Sequence, residues 1–404
     1  MQKPGVRAFA VIGGLEAVVR GIALSLYPLL MYRAWGDAAL VSQLYFGVGV
    51  LSLLTGLTVP LLTRHIPRRW VYTAGALLFV LSAVFGTIGG KVTTAALLCH
   101  VMATATVFVC FNAYVLDNVA KTDFGRLESL RLLYGGLGWT VGPALGVWLV
   151  RYWHGAPFVI VGVAALAMLS AFWLLRIGSG RVTAHPNSNP GASRNPFAYL
   201  RRFVAQPRLV AGWFFVVLRS CGWWVYNVYV GIFAVQNGLG DQVGGMASSL
   251  ANMGLFMAPL MLLWMRRHSV RHAVRTGFLV SGACFILGAL ISPLPWATVG
   301  VLVLASYFLV LLDVCGGLPF LMSVKPSQRT EMSAVYSSFR DVSGILTPGI
   351  AWLVLQFSPL AGVFAAGGAA LLAAWLVAGR MHPELGVPGA RRVRARAGVS
   401  AGPV

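Results

Sequence analysis

Charge is what this sequence has least of. Only 10% of its 404 residues are Asp, Glu, Lys or Arg, whereas a soluble chain carries about a quarter to keep its surface wet. A large soluble helical protein is thereby excluded, and lipid is the expected solvent for much of the surface. Carboxylates are scarcest: 10 of them against 31 Lys and Arg give a net charge of +21. In a soluble protein that excess would point to nucleic acid. Here the basic residues are confined to particular loops, so no nucleic-acid partner is expected. The five cysteines (Cys99, Cys110, Cys221, Cys284, Cys315) all fall in apolar runs and none has CxxC spacing. They read as small buried hydrophobes, not as a disulfide framework or a metal site. Without a Walker motif ATP is not expected as the energy source, and without HExxH no zinc site is expected. No Ser/His/Asp grouping sits near a membrane interface, which argues against an enzyme. The absence of an Asn-x-Ser/Thr sequon removes one reason to expect a glycosylated secretory-pathway protein.

What the sequence has instead is long apolar runs, 58% of all residues being hydrophobic. A crossing helix needs about 20 apolar residues to traverse a hydrocarbon layer of about 30 Å. With that ruler the first half gives spans over 8–31, 38–62, 70–90, 93–118, 127–150 and 155–176. The second half gives 209–236, 242–264, 271–291, 296–321, 331–356 and 359–379. Two pairs are fused into runs too long for one crossing, and each carries a turn where a hairpin is required, at Ser292-Pro293-Leu294-Pro295 and at Ser358-Pro359. Lys3 and Arg7 precede the first run as in a signal peptide, but Glu16 and Arg20 interrupt it and no cleavage site follows. It is expected to be a retained helix.

The loops alternate in charge. Lys3/Arg7, Arg64/Arg68/Arg69, Lys121/Arg126, 176–208, Arg266/Arg267/Arg271/Arg275, Lys325/Arg329 and 380–396 all lie on one side of a twelve-span chain. The other side holds only Arg33, Lys91 and Arg151. By the positive-inside rule both termini are cytoplasmic, and a bacterial inner membrane is the expected location. The expected fold class is an all-α polytopic membrane protein with twelve transmembrane helices in two six-helix, pseudo-symmetric halves. The halves are 1–176 and 208–380, joined by a polar linker over 177–207 and followed by a basic tail over 381–404. The end of the linker, 196–207, reads either as a solvated segment or as a basic amphipathic helix on the anionic leaflet. The tail is expected to be disordered. Nothing in the sequence requires an oligomer, so a monomer is expected.

An internal repeat supports the two halves. Span five carries Gly138, Gly142, Pro143 and Gly146; span eleven carries Ser343, Thr347, Pro348 and Ala351 in the same small-x3-small-Pro-x2-small pattern. Gly36-Asp37 after span one returns as Gly240-Asp241 after span seven. Small residues let helices approach closely, and a proline frees a carbonyl and permits a bend. Plain tight packing explains each pattern equally well.

Twelve spans, a 6+6 repeat, a central loop and this span-five pattern resemble the major facilitator superfamily. The span-five pattern is similar to the antiporter motif of that family's drug/proton exporters, with Ser129 and Val147 at two of the motif's glycine positions. The family's loop motif G-x3-D-R-x-G-R-R would begin at Pro60, and only the closing pair Arg68-Arg69 matches. Arg64 stands at the family's aspartate position, so a charge relay there falls to Asp117, Asp123 or Glu128. The resemblance implies alternating access driven by an ion gradient, with no bound cofactor, and gating roles for Gly138, Gly142, Pro143, Gly146, Pro348, Arg64, Arg68, Arg69 and Asp117.

Ionisable residues inside a membrane are costly, which makes each a functional candidate. They are Glu16 and Arg20 in span one, Arg219 in span seven, Asp313 in span ten, and Arg340 with Asp341 in span eleven. Counted along their helices, all lie roughly 12–18 Å from one end, as a polar cavity between the halves requires. Glu16 and Arg20 are one turn apart and can pair; Asp313 and Arg340 lie at matched depth and form a second candidate pair. Asp313–Arg340 reads equally as a static tie; Glu16–Arg20 reads less as one, since a pair within one helix locks nothing. Proton coupling is the functional reading for Glu16, Asp313 and Asp341, because burial favours a neutral carboxyl and a nearby arginine favours the charged one. Arg20, Arg219 and Arg340 are permanently charged and suit an anionic substrate group. Trp223, Tyr226 and Asn227 share a face with Arg219 and suit a planar amphiphile, while Trp224 and Tyr229 read at least as well as lipid-facing or interfacial rings as they do as ligand contacts. Asn112 in span four is a further candidate and His100 a weaker one. The expected partners are the bilayer and a small-molecule substrate. Export of an amphiphilic compound, uptake of an organic anion or nutrient, and a lipid flippase or non-transporting sensor all remain open.

Overall fold

The computed structural model describes residues 5–119, 123–175, 201–324, 332 and 335–381, and among them every regular element is helical. The first half is six helices: Val6–Trp35, Ala38–His65, Arg68–Ile88, Thr93–Asn118, Phe124–Val150 and Ala156–Leu174. Spans seven, nine and twelve are Pro207–Gln236, Val270–Leu290 and Ala361–Ala378. Span eight is broken, Gln242–Met253 and Ala258–His268 being joined by a 3-10 turn over Gly254–Met257. Gly254 lies there against Tyr307, where a Cβ would come within 2.8 Å of the ring. Span ten is Pro295–Cys315 followed by a short helix, Leu318–Ser323, and span eleven is described over Phe339–Leu355. Eleven spans are at least 18 residues long and apolar enough to cross a membrane, and the described part of span eleven is 17 residues. Each helix matches an apolar run in the sequence to within a few residues, apart from the start of span eleven. Most of the 177–207 linker, the tail beyond 381, Lys325 and Arg329 lie outside the described residues.

The repeated Gly-Asp turns have a common backbone cause. Gly36 closes span one at φ 68° and Gly240 precedes span eight at φ 89°, both in the left-handed region that costs a side chain most. Asp37 then caps span two by accepting the Ala39 N–H at 2.8 Å.

The described contacts form two compact units. Among the described residues, one holds the first half together with 227–252 and 348–356; the other holds those of 201–226, 253–347 and 357–381. In the first unit the small residues of span five lie on span one. A Cβ on Gly138 would meet the Ala17 backbone at 2.8 Å, and one on Gly142 would meet Gly21 at 2.8 Å. In the second unit span eleven meets span seven the same way: Ser343 Oγ is 2.7 Å from Ser220 Oγ, and Gly344 packs on Trp224. The two patterns make the same one-to-five and seven-to-eleven contact.

Candidate functional site

In the first unit, Glu16 is buried, its side chain 5% exposed, and Arg20 Nη1 reaches its Oε1 at 3.3 Å. A carboxylate this enclosed needs such a partner. The guanidinium of Arg20 in turn lies 5.1 Å from the ring centre of Trp139 on span five. A second arginine stands nearby on the same helix as Trp139. Arg131 sits over Phe111 at 5.5 Å and crosses Gly13 of span one, where a Cβ would come 3.2 Å from its Nε. Arg131 lies inside the 127–150 run, and the sequence reading passed over it. The signal was an ionisable residue inside an apolar span, the same one that picked out Arg20. Asn112 is half-buried beside Phe111.

The second unit repeats the chemistry with different partners. Arg219 and Trp223, one turn apart on span seven, both address Asp313 on span ten. Arg219 Nε lies 3.1 Å from Oδ1 as an ion-pair contact without hydrogen-bond alignment, and Trp223 Nε1 donates to Oδ2 at 3.0 Å. The expected partner, Arg340, is turned elsewhere and lies over Phe339 at 5.7 Å, with Asp341 half-buried beside it in the chain. Arg219 covers the same ring at 5.4 Å. Matched depth placed Asp313 and Arg340 at one level but could not give the rotation of either helix.

Of the span-seven aromatics, Trp223 is half-buried with its N–H given to Asp313, whereas Tyr226 is fully buried and bonded to Ser306. Asn227 Oδ1 is enclosed with no hydrogen-bond partner among the described residues, an acceptor that lacks a donor. Tyr229 corrects the reading of a lipid-facing ring: it is fully buried and bonds Ser42 at 2.8 Å. Trp224 packs against Gly344. His100 is enclosed between Tyr27 and Phe79, with ring centres 5.2 and 5.1 Å away.

The candidate gating residues separate into two places. Arg68 Nη1 pairs with Asp117 Oδ2 at 2.6 Å and lies over Tyr114, so Asp117 holds the loop charge; Arg64 and Arg69 are exposed. The side chain of Glu128 is outside the described residues. At the opposite end, the first unit is tied by contacts between the two halves of the chain. Arg33 pairs with Asp241, Ser249 Oγ accepts the Ala144 N–H at 3.0 Å, and a Cβ on Gly245 would come 2.8 Å from the Pro143 carbonyl. Gly349, next to Pro348, packs on Phe46. Pro143 and Pro348 therefore both neighbour contacts between the two halves of the chain. Among the described residues no three His, Cys, Asp or Glu side chains converge as a metal site would require.

No curated protein sequence matches the chain. Solved structures share its fold. The nucleoside transporter NupG aligns at TM-score 0.68 and 13% identity, covering 93% of this chain and 99% of its own. A POT family transporter in complex with a thioalcohol-conjugated peptide aligns at 0.75 and 13%, covering 92% and 95%. The peptide transporter POT in complex with sulfate aligns at 0.70 and 15%, covering 95% of each chain. The family model of the Major Facilitator Superfamily matches residues 9–348. Matched over most of its length and folded as those transporters are, the chain belongs to the Major Facilitator Superfamily and is a multi-pass membrane transporter.

Proposed function

We propose that the chain works by alternating access as a proton-coupled exporter of a small amphiphilic compound, in the cytoplasmic membrane of a bacterium with both termini inside. The observation that carries the reading is the Glu16–Arg20–Trp139 arrangement. Glu16 is enclosed while Arg20 keeps 35% of its side chain exposed and rests on an indole. The arginine has two places to put its charge, the carboxylate and the ring. When substrate or helix movement draws Arg20 away, Glu16 loses its counter-charge and takes up a proton; when the pair re-forms, the proton leaves. Asp313, between Arg219 and Trp223, offers the same exchange in the second half.

The test is pH-gradient-driven transport in proteoliposomes, with substrates drawn from a resistance panel in cells lacking their own exporters. Glu16→Gln is expected to abolish accumulation against a gradient while leaving downhill counterflow intact. Full coupling in Glu16→Gln would remove Glu16 from the mechanism, and resistance to no compound in the panel would sink the export reading.

A second reading, uptake of an organic anion, is favoured by one observation. Four guanidiniums, those of Arg20, Arg131, Arg219 and Arg340, each lie over an aromatic ring at 5.1 to 5.7 Å. Such pairs suit a carboxylate or phosphate carried on a flat ring. Counterflow with anionic and cationic aromatic probes separates the two readings.

A further inference from the structure

Span nine begins at Val270, with Ser269 Oγ accepting the His272 N–H at 3.1 Å. Its first turn holds no acid, and Arg271, His272 and Arg275 stand at its start instead. This is the unfavourable sign for a helix N-terminus, whose open N–H groups already carry partial positive charge. Arg271 reaches to span twelve and donates from Nη2 to the Gly379 carbonyl at 2.7 Å. The guanidinium of Arg275 lies 5.4 Å from the ring centre of Trp375, also on span twelve. The Nε of each arginine is enclosed without a hydrogen-bond partner, and neither guanidinium has a carboxylate partner, among the described residues.

In the first half the cation at the start of span three is neutralised from span four. There Arg68, at the start of span three, is answered by Asp117 at 2.6 Å. Carried forward by the repeat, the Asp117 position falls on Leu321 or Met322, neither of them an acid. Among the described residues no carboxylate pairs with the cations at the start of span nine. Beside it the surface turns apolar, with Leu279 one turn beyond Arg275 and Leu376 next to Trp375 both exposed. Cations at the start of span nine, with exposed leucines on the same two spans of one compact unit, match a lipid with an anionic head. Arginine is the residue best built to grip a phosphate, by its fork of N–H donors.

We propose that the corner formed by Arg271, Arg275 and Trp375 binds the headgroup phosphate of an anionic phospholipid, with an acyl chain along Leu279 and Leu376. The site does not depend on which substrate is moved or on the direction of transport.

The experiment is native mass spectrometry of the full chain released from nanodiscs of phosphatidylcholine mixed with phosphatidylglycerol. Wild type is expected to retain phosphatidylglycerol in preference, and each arginine removed to weaken retention about fivefold. R271Q/R275Q is therefore expected to bring the two lipids close to parity. If that variant does not fold in phosphatidylcholine alone, R275Q carries the test, because Arg275 makes no hydrogen bond among the described residues. Unchanged preference in the variant that folds would overturn the proposal. So would displacement of the retained lipid by inorganic phosphate, which would make the corner a site for a free anion.

Discussion

Tyr229 on span seven and Ser42 on span two share a hydrogen bond of 2.8 Å between two buried hydroxyls. It ties the second half of the chain to the first, as the Arg33–Asp241 pair also does. For a transporter that alternates, a tie of this kind must break once in every cycle. Tyr229→Phe removes one partner, and Ser42 keeps its bond to the Ala38 carbonyl at 2.8 Å, so the loss should be about 1 kcal/mol. Hydrogen exchange over 227–252 is expected to speed up about fivefold, with global stability lowered by no more than about 1 kcal/mol. Unaltered exchange there would mean that the bond does not hold the two halves together.

The Arg33–Asp241 pair is partly exposed, 43% and 27% on the two side chains, so its contribution should stay below about 1 kcal/mol. Asp241→Asn is expected to shift the thermal midpoint very little and to raise labelling of a cysteine placed at Met246. The charge swap R33D/D241R should return labelling to the wild-type rate.

Span five meets span one backbone to backbone, so bulk there has nowhere to go. Gly142→Val is expected to cost about 1–3 kcal/mol or more through overpacking against Gly21 and Ile22. Gly56→Ala is the internal control. Its Cβ would meet nothing within 4 Å, and an alanine in mid-helix should be neutral or stabilising by up to about 1 kcal/mol. Thermal unfolding in detergent compares the two.

Arg219 and Asp313 form a double-mutant cycle. Arg219→Ala strips a carboxylate of its cation and should destabilise by about 1–2 kcal/mol, below the figure for a fully buried pair because Asp313 keeps 31% of its side chain exposed. Adding Asp313→Asn should recover most of that stability, since Trp223 can still donate to the amide oxygen. Transport is expected to stay low in the double variant. Recovery of both stability and transport would make the pair a structural tie only.

Arg131 faces the same unit as Arg20 and over a different ring. Arg131→Ala is expected to raise the KM of an anionic probe about tenfold and leave a cationic probe unaffected, as one charge-assisted contact of about 1.5 kcal/mol predicts. Equal loss for both probes would assign Arg131 to packing against Gly13 instead.

Much of this protein was determined by the sequence alone. Hydropathy adds up residue by residue, so the crossing segments and their count could be read without knowing what touches what. The small-residue patterns of spans five and eleven likewise announced close contacts, because a helix without side-chain bulk has only one cheap use at an interface. Glu16–Arg20 was legible too, since residues one turn apart on a helix must share a face. Tertiary structure decided the pairs that join different helices. Asp313 took Arg219 and Trp223 in place of Arg340, Tyr229 turned inward to Ser42, and Arg131 came to rest over Phe111. Depth along a helix follows from counting residues, but the direction a side chain faces depends on how each helix is rotated about its axis. That rotation is set by the fit of glycines such as Gly138 and Gly142 against span one, a property of the packed unit and of no single segment.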